Sequence, residues 1–310
     1  MSESATTRFG RRSTAEQVSE GIDLSGRHAL VTGANTGIGY ETARVLALRG
    51  AEVTLACRDV AKADAARQRI VREGGGHAKA AALHLLRLDL AHLESVRKAA
   101  SELVASGRPL HLLVNNAGVM LPHRRETSDG FEAHFGINHL GHFLLTSLLL
   151  SRMRESAPAR VVAVSSEALR FATLTSALHD LDWKERRFSG WRSYGDSKLM
   201  NVLFARELSR RLEGEGIVAH ALHPGIVRTE LARDQTWPMK IVGLLMLPAL
   251  KSPLRGAATT VYAATAPELG RSGGGYFADC APAEAGARAD DLELAGRLWA
   301  RSEELTRSGL

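Results

Sequence analysis

Cysteine is scarce: of 310 residues, only Cys57 and Cys280 carry thiols. Two distant cysteines exclude the disulfide framework of a small secreted domain, and they are not paired at metal-ligand spacing, so no metal site is expected. The chain fits a reducing compartment, and a cytoplasmic location is expected. Long hydrophobic runs are also missing. The opening stretch MSESATTRFGRRSTAEQVSEGIDLSG lacks the apolar core of a signal peptide. The longest apolar patch, IVGLLMLPAL at Ile241 to Leu250, holds ten residues with Pro248 among them. A spanning helix needs about 20, so this patch cannot cross a bilayer, although peripheral membrane contact stays open. Aromatics make up 5% of the chain, and they do not alternate with basic residues in a stripe. The 40 Lys and Arg exceed the 34 Asp and Glu for a net charge of +6, with small clusters at RFGRR (8–12) and KERR (184–187). Without a basic stripe or finger-like Cys/His spacing these read as solvated surface, and no nucleic-acid partner is expected.

What is present is an ordinary globular composition, 45% hydrophobic and 24% charged, enough for a sizeable core. Strand-like runs recur at 28–32, 52–56, 83–88, 110–114, 161–164 and 218–223, with a weaker one near Tyr276. Segments of helical period lie between them, among them AKADAARQRIVRE, LESVRKAASELVA, HFLLTSLLLSRM and LMNVLFARELSRRL. Such alternation spells βαβ units, and right-handed crossovers turn these into an α/β fold with a doubly wound parallel sheet. No linker or internal repeat interrupts the series. The expected organisation is a polar lead-in at 1–21 and a single domain at 22–310.

Doubly wound sheets bind ligands at the carboxyl ends of their strands. The first strand ends in TGANTGIG, where Gly33, Gly37 and Gly39 leave little side chain at a strand-to-helix corner. There the backbone of residues 33–39, with Asn35, Thr36 and Ile38 between the glycines, can close around a pyrophosphate at the positive end of a helix. After the second strand stands Arg58, whose guanidinium suits a 2′-phosphate and so favours NADP over NAD, unless it merely solvates a loop or pairs with Asp59. After the third come Asp89 and Leu90, with Asp89 placed to accept from an adenine amino group or to cap the next helix. The fourth ends in LLVNNAGVM: Asn115 and Asn116 either staple neighbouring strand ends or make a simple turn, while Ala117 and Gly118 keep the wall beside the cofactor low.

The fifth strand runs into Ser166, and further on YGDSK puts Tyr194 and Lys198 four apart, on one helical face. A lysine ammonium near a tyrosine stabilises its phenolate and can also bind ribose hydroxyls, and Ser166 can hold a substrate oxygen. Taken alone, such a pair reads first as an exposed helix face, and only its combination with Ser166 and the glycine corner points to chemistry. Asp196, between the two, argues for some exposure of that turn.

Together and in order, TGANTGIG, NNAG, INHLGHF, VSS, YGDSK and HPGIVRT resemble the short-chain dehydrogenase/reductase family. The finer texture, from GANTGIGYETA and ACRD to SKLMNVLFARELSRRL and GRLWARSEELT, is similar to its retinol dehydrogenase-like branch, which includes the WW-domain oxidoreductases. The resemblance runs from about Leu24 to Thr306. It implies a Rossmann fold, a nicotinamide cofactor and a catalytic tetrad of Asn138, Ser166, Tyr194 and Lys198, with Asn138 holding a water that connects Lys198 to solvent. It also implies that Pro224, Gly225 and Val227 form the loop under the nicotinamide, that Thr229 binds the carboxamide, and that the chain is a homo-oligomer built through helices following the fourth and fifth strands. Two positions depart from the branch: Tyr40 stands where it usually carries lysine, and Asp196 where a small or neutral residue is commoner.

The expected activity is NADP(H)-dependent interconversion of a hydrophobic aldehyde or ketone and its alcohol, with Tyr194 exchanging the proton. Specificity is expected from the apolar segment at about 230–254, which reads as a substrate lid, with a membrane contact or a plain core helix as the alternatives. A catalytically silent NADP-binding sensor or scaffold is the alternative, although such a protein has no need of Tyr194 and Ser166 at those stations.

Overall fold

The computed structural model describes residues 9–76, 82–175, 178–227 and 250–307. Thr229 and nearly all of the expected lid, including the apolar patch as far as residue 249, lie outside the described residues. Eight strands form one sheet: β1 His28–Thr32, β2 Glu52–Cys57, β3 Leu83–Arg87, β4 Leu112–Asn115, β5 Ala159–Val164, β6 Ile217–His223, β7 Tyr276–Ala278 and β8 Ala281–Pro282. Their spatial order is β3-β2-β1-β4-β5-β6-β7-β8, parallel throughout except for the final antiparallel pair. This is the expected α/β architecture, a single Rossmann-type domain with a doubly wound sheet. β1 and β5 are buried along their whole length, as largely apolar strands covered on both faces are, and their polar members His28, Thr32 and Arg160 are hydrogen-bonded.

The eight helices among the described residues are α1 Ala15–Val18, α2 Gly37–Leu48, α3 Val60–Glu73, α4 Leu93–Ala105, α5 Gly141–Glu155, α6 Gly190–Arg211, α7 Pro253–Thr265 and α8 Leu292–Arg307. A core on one face gathers α4, α5, α6 and α8 through residues such as Val96, Leu145, Leu203 and Leu298. On the other face, α2 and α3 pack on β1 and β2, and α7 packs on β5 and β6. Within the polar lead-in, Thr14 and Gln17 make a capping box that starts α1. Arg44 ties this helix to α2, pairing with Glu16 at 2.5 Å and with Glu41 at 2.6 Å.

Two boundaries differ from the sequence pattern. Leu110 is buried but leaves the ladder, because its N–H donates to Ser156 Oγ at 2.9 Å, so β4 starts two residues later. The weak strand near Tyr276 turns back as β8 through Asp279 and Cys280, both left-handed at φ +51° and +62°, the backbone of a tight hairpin. β1 sits between β2 and β4, so the chain reverses its direction of travel across the sheet there, and a crevice opens beyond the carboxyl ends of these strands.

Candidate active site

The glycine corner is built for close backbone approach. Gly33 and Gly37 adopt φ +67° and +58°, a region costly for residues with a Cβ. Gly39 serves a different need, since a Cβ there would overlap the Asn116 amide and the Gly33 carbonyl. Thr36 is the N-cap of α2 but makes no side-chain cap bond, which leaves first-turn N–H groups for an anionic ligand. Behind the corner, the buried Cys57 thiol faces the Ala34 and Asn35 N–H groups, and burial pushes its pKa up to about 11. It is a packed, unreactive thiol.

Arg58 is exposed at the end of β2. Asp59 turns away from it, accepting from Lys62 N–H at 3.1 Å to cap α3 and pairing with the Lys62 ammonium at 3.6 Å. Tyr40 points to α3 as well: its hydroxyl donates to Glu73 at 2.8 Å and Arg69 lies 4.4 Å over its ring. Asp89 accepts from Ala91 N–H at 3.0 Å and closes a local turn, whereas the carboxylate at the start of α4 comes from Asp129, which accepts from Leu93 N–H at 2.8 Å. Leu90 is buried under Gly141, where a Cβ would stand 2.7 Å from the Leu90 carbonyl.

The two asparagines staple in different directions. Asn116 Nδ2 donates to the Thr32 carbonyl at 2.8 Å, locking β4 to β1, while Asn115 Nδ2 donates to Thr146 Oγ1 on α5 at 2.9 Å. Sequence reasoning missed the hub of this corner, the Thr32 hydroxyl, which accepts from the N–H groups of both Asn116 and Ala117 at 2.9 Å. It also meets His142 Nε2 at 2.9 Å, and His142 Nδ1 meets the Asn138 carbonyl at 3.1 Å. With Nδ1 donating to that carbonyl, Nε2 accepts from Thr32; burial holds the imidazole pKa down to about 4, so it is neutral at pH 7.

Asn138 lies on a π-helical stretch, His134–Leu140, that runs directly into α5. Such wide turns are frequent at functional sites. Its amide is fully engaged: Nδ2 donates to the Val119 carbonyl and to Ser197 Oγ, both at 3.0 Å, and Oδ1 accepts from Val119 N–H at 2.8 Å. A Cβ at Gly118 would stand 3.1 Å from that Oδ1 and 3.4 Å from Lys198 Nζ, so glycine keeps the floor open between them.

Ser166, just past β5, caps a short 3₁₀ turn and accepts from Ala168 N–H at 3.2 Å. Tyr194 and Lys198 are both buried, on the face of α6 turned toward β5. The ammonium lies 5.4 Å from the centre of the tyrosine ring and donates to the Val164 carbonyl at 3.1 Å. Burial pushes Tyr194 up to about 12, with a hydrogen bond to Ser166 pulling the other way, and pushes Lys198 down to about 8. The Tyr194 pKa is therefore raised, not lowered as expected: desolvation of the phenol dominates, and the pull against it comes from Ser166. At pH 7 the tyrosine keeps its proton and the lysine its charge. Among the described residues no carboxylate pairs with Lys198. A buried ammonium with one carbonyl partner has donors left for ribose hydroxyls. Together with the glycine corner, these residues fit a nicotinamide dinucleotide.

Beyond β6, Gly225 takes φ +92° and Val227 bridges to Lys251. A Cβ at Gly256 would stand 2.6 Å from Val227 and 3.3 Å from Ile38, so this glycine lets α7 close on both. Lys251, also missed in the sequence, is buried beneath the loop and reaches Asp279 at 2.6 Å and the Pro224 carbonyl at 3.3 Å. Asp196 corrects a sequence expectation. Its turn is not exposed: the carboxylate is 2% exposed and paired with Arg186 at 2.9 Å, and that cation with neighbouring N–H donors makes burial tolerable.

The family model for short chain dehydrogenases matches residues 27–177. Retinol dehydrogenase 12 of Mus musculus is 45% identical over 284 residues, spanning 92% of this chain and 87% of the relative. The WW domain-containing oxidoreductase of Pongo abelii is 42% identical over 308 residues, 98% of this chain and 73% of its own length. Among solved structures, an uncharacterised protein from Mycobacterium Paratuberculosis superposes with a TM-score of 0.74 at 37% identity, covering 94% of this chain and 97% of that one. With this likeness carried along nearly the whole chain, the protein belongs to the short-chain dehydrogenase/reductase family, in its retinol dehydrogenase-like branch, as an NAD(P)-dependent oxidoreductase acting on CH–OH groups.

Proposed function

We propose that the chain interconverts a hydrophobic aldehyde or ketone and its alcohol, with NADP(H) as the preferred cofactor and Tyr194 as the proton donor and acceptor. The observation that carries this reading is the buried cluster at the end of β5, where a neutral tyrosine, a charged lysine and a serine hydroxyl converge. When bound, the cofactor supplies or takes up a hydride at the carbonyl carbon. In the reductive direction Ser166 holds the carbonyl oxygen and Tyr194 gives it a proton, so hydride and proton together make the alcohol. Lys198 keeps a positive charge beside the phenolate left behind, and Asn138 anchors the loop at Val119 beside Lys198. In the oxidative direction the same groups run in reverse.

The cofactor preference rests on Arg58, which is exposed, while the carboxylate of neighbouring Asp59 serves Lys62. Preference for an apolar substrate is supported by Phe171 and Trp191, which meet edge to face at 6.2 Å while remaining 60% and 44% exposed. Trp191 sits one helical turn before Tyr194 on α6, so an exposed aromatic pair lies one turn from the proposed proton donor. The scarcity of cysteine supports a cytoplasmic location; no helix among the described residues is long and apolar enough to cross a membrane.

The test is oxidation of NADPH, beside NADH, at pH 7 with hydrophobic aldehydes, steroid ketones and quinones. Turnover that needs NADPH and vanishes in Tyr194→Phe is expected. Tight NADPH binding without turnover of any carbonyl would favour the silent sensor instead.

A further inference from the structure

Asp196 stands between Tyr194 and Lys198 in the chain, yet the proposed chemistry uses neither its charge nor its position. Its carboxylate points away from them, into the segment that follows the 3₁₀ turn. There it accepts from the N–H groups of Thr173 at 2.5 Å and Leu174 at 2.8 Å, and from Arg186 Nη2 at 2.9 Å. Hydrogen bonds to an ionised acceptor are the strong ones, and a buried carboxylate left without its cation is costly.

Arg186 extends the grip. It reaches Asp180 at 3.4 Å and lies 3.6 Å over the Trp183 ring, while Asp180 accepts from the N–H groups of Lys184 at 2.7 Å and Arg186 at 3.2 Å. The stack continues inward: Trp183 meets Phe188 edge-on at 5.8 Å, Phe188 lies parallel to His134 at 6.3 Å, and His134 meets the Tyr194 ring at 5.9 Å. A second tie comes from Gly195, where a Cβ would stand 2.5 Å from the Ala168 carbonyl, so the 3₁₀ turn rests directly on α6. Residues 173–174 and 180–188 are thus fastened to α6 within one turn of Tyr194, and Phe171 at the rim precedes the clamp by two positions.

We infer that Asp196 and Arg186 are a positioning pair that holds the segments 171–175 and 178–188 as one wall of the substrate site, so that the pair governs the fit of bulky apolar carbonyls and not the chemical step. The inference rests on the reading of the chain as a carbonyl reductase. A rigid second layer of this kind fixes the geometry of the residues that touch substrate.

Arg186→Gln, Asp196→Asn and Arg186→Lys are compared with the full-length wild type, using a long-chain aldehyde and propanal. In the first two variants KM for the long-chain aldehyde is expected to rise about tenfold, with kcat, the KM for propanal and the KM for NADPH held within about twofold. Arg186→Lys restores part of the loss, since it keeps the charge while losing the fork. An equal fall in kcat for both aldehydes, or an unchanged KM for the larger one, overturns the assignment.

Hydrogen exchange, which needs no turnover, guards against a folding effect. Because Arg186 is one-third exposed, its replacement is the milder change. Faster exchange at Thr173 and Leu174 in Arg186→Gln, with the sheet as protected as in wild type, supports the clamp, and unchanged exchange there refutes it. A wild type that turns over neither aldehyde sinks the carbonyl-reductase reading, and the exchange result still decides the clamp.

Discussion

The Lys198 ammonium sits 5.4 Å from the centre of the Tyr194 ring and, among the described residues, donates to one carbonyl, that of Val164. Burial acts on the two groups in opposite senses, raising the phenol to about 12 and lowering the ammonium to about 8. Between those values the lysine loses its charge while the tyrosine stays protonated. Carbonyl reduction is therefore expected to hold level below pH 8 and to fall about tenfold per unit above it, as one proton is lost. A pH profile of kcat/KM from 6 to 10 checks this. Lys198→Met should remove that limb and cost about 10²–10⁴-fold in kcat; a limb that survives in the variant would assign it to another group.

Thr32 gives a second prediction, about stability. Its hydroxyl serves Asn116 N–H, Ala117 N–H and His142 Nε2 at once. Thr32→Val keeps the shape and orphans these groups, each unsatisfied one costing about 1–3 kcal/mol. Thr32→Ser keeps the hydroxyl and should fall within about 1 kcal/mol of wild type in urea unfolding. Equal midpoints for Val and Ser would mean that the hub carries no weight.

Lys198 and Thr32 mark where the sequence was legible and where it was not. Short apolar runs broken by longer helical periods revealed the βαβ order, because a parallel strand covered on both faces is largely apolar. The glycine corner and the Tyr194–Lys198 spacing were readable for the same reason: each is a local pattern. Asp196 was not, since the donors that make its burial tolerable come from Thr173, Leu174 and Arg186, 23, 22 and 10 residues away. The Thr32 hub joins strands 82 residues apart in sequence, and Lys251 finds Asp279 28 residues on. Nothing near them in the chain signals those meetings. The π-helical stretch at 134–140 was hidden because its residues suit an ordinary helix start equally well.

The glycines separate into two kinds of effect. Gly37, at φ +58°, tolerates a side chain only with strain of about 1–2 kcal/mol. Gly37→Val is expected to remain folded, with a lower melting temperature, and to lose NADPH binding because the side chain intrudes on the cradle. Gly39 faces protein, not ligand: Gly39→Ala must push Asn116 and the Gly33 carbonyl aside, and should cost about 1–3 kcal/mol of stability. Melting curves with and without NADPH distinguish the two. Undiminished NADPH stabilisation of Gly37→Val would remove the phosphate-cradle assignment.

Arg58 decides between cofactors by electrostatics that can be taken apart. Asp59 is engaged with α3 through Lys62, and Tyr40 with Glu73, which leaves the exposed Arg58 guanidinium at the end of β2 as a cation for a 2′-phosphate. A charge-assisted contact of this kind is worth about 1.5–3 kcal/mol, roughly a 10- to 150-fold change in affinity. Arg58→Ala is therefore expected to raise the NADPH dissociation constant by that factor while leaving NADH binding unchanged, because NADH has no phosphate to lose. Arg58→Asp should go further and favour NADH, the carboxylate accepting from the free ribose hydroxyl and repelling the phosphate. Raising ionic strength should shrink the wild-type preference for NADPH and leave the Ala variant nearly insensitive, since Arg58 is exposed and its pairing is screened. If both variants keep the wild-type ratio of the two affinities, the 2′-phosphate is read elsewhere and the preference for NADP loses its residue.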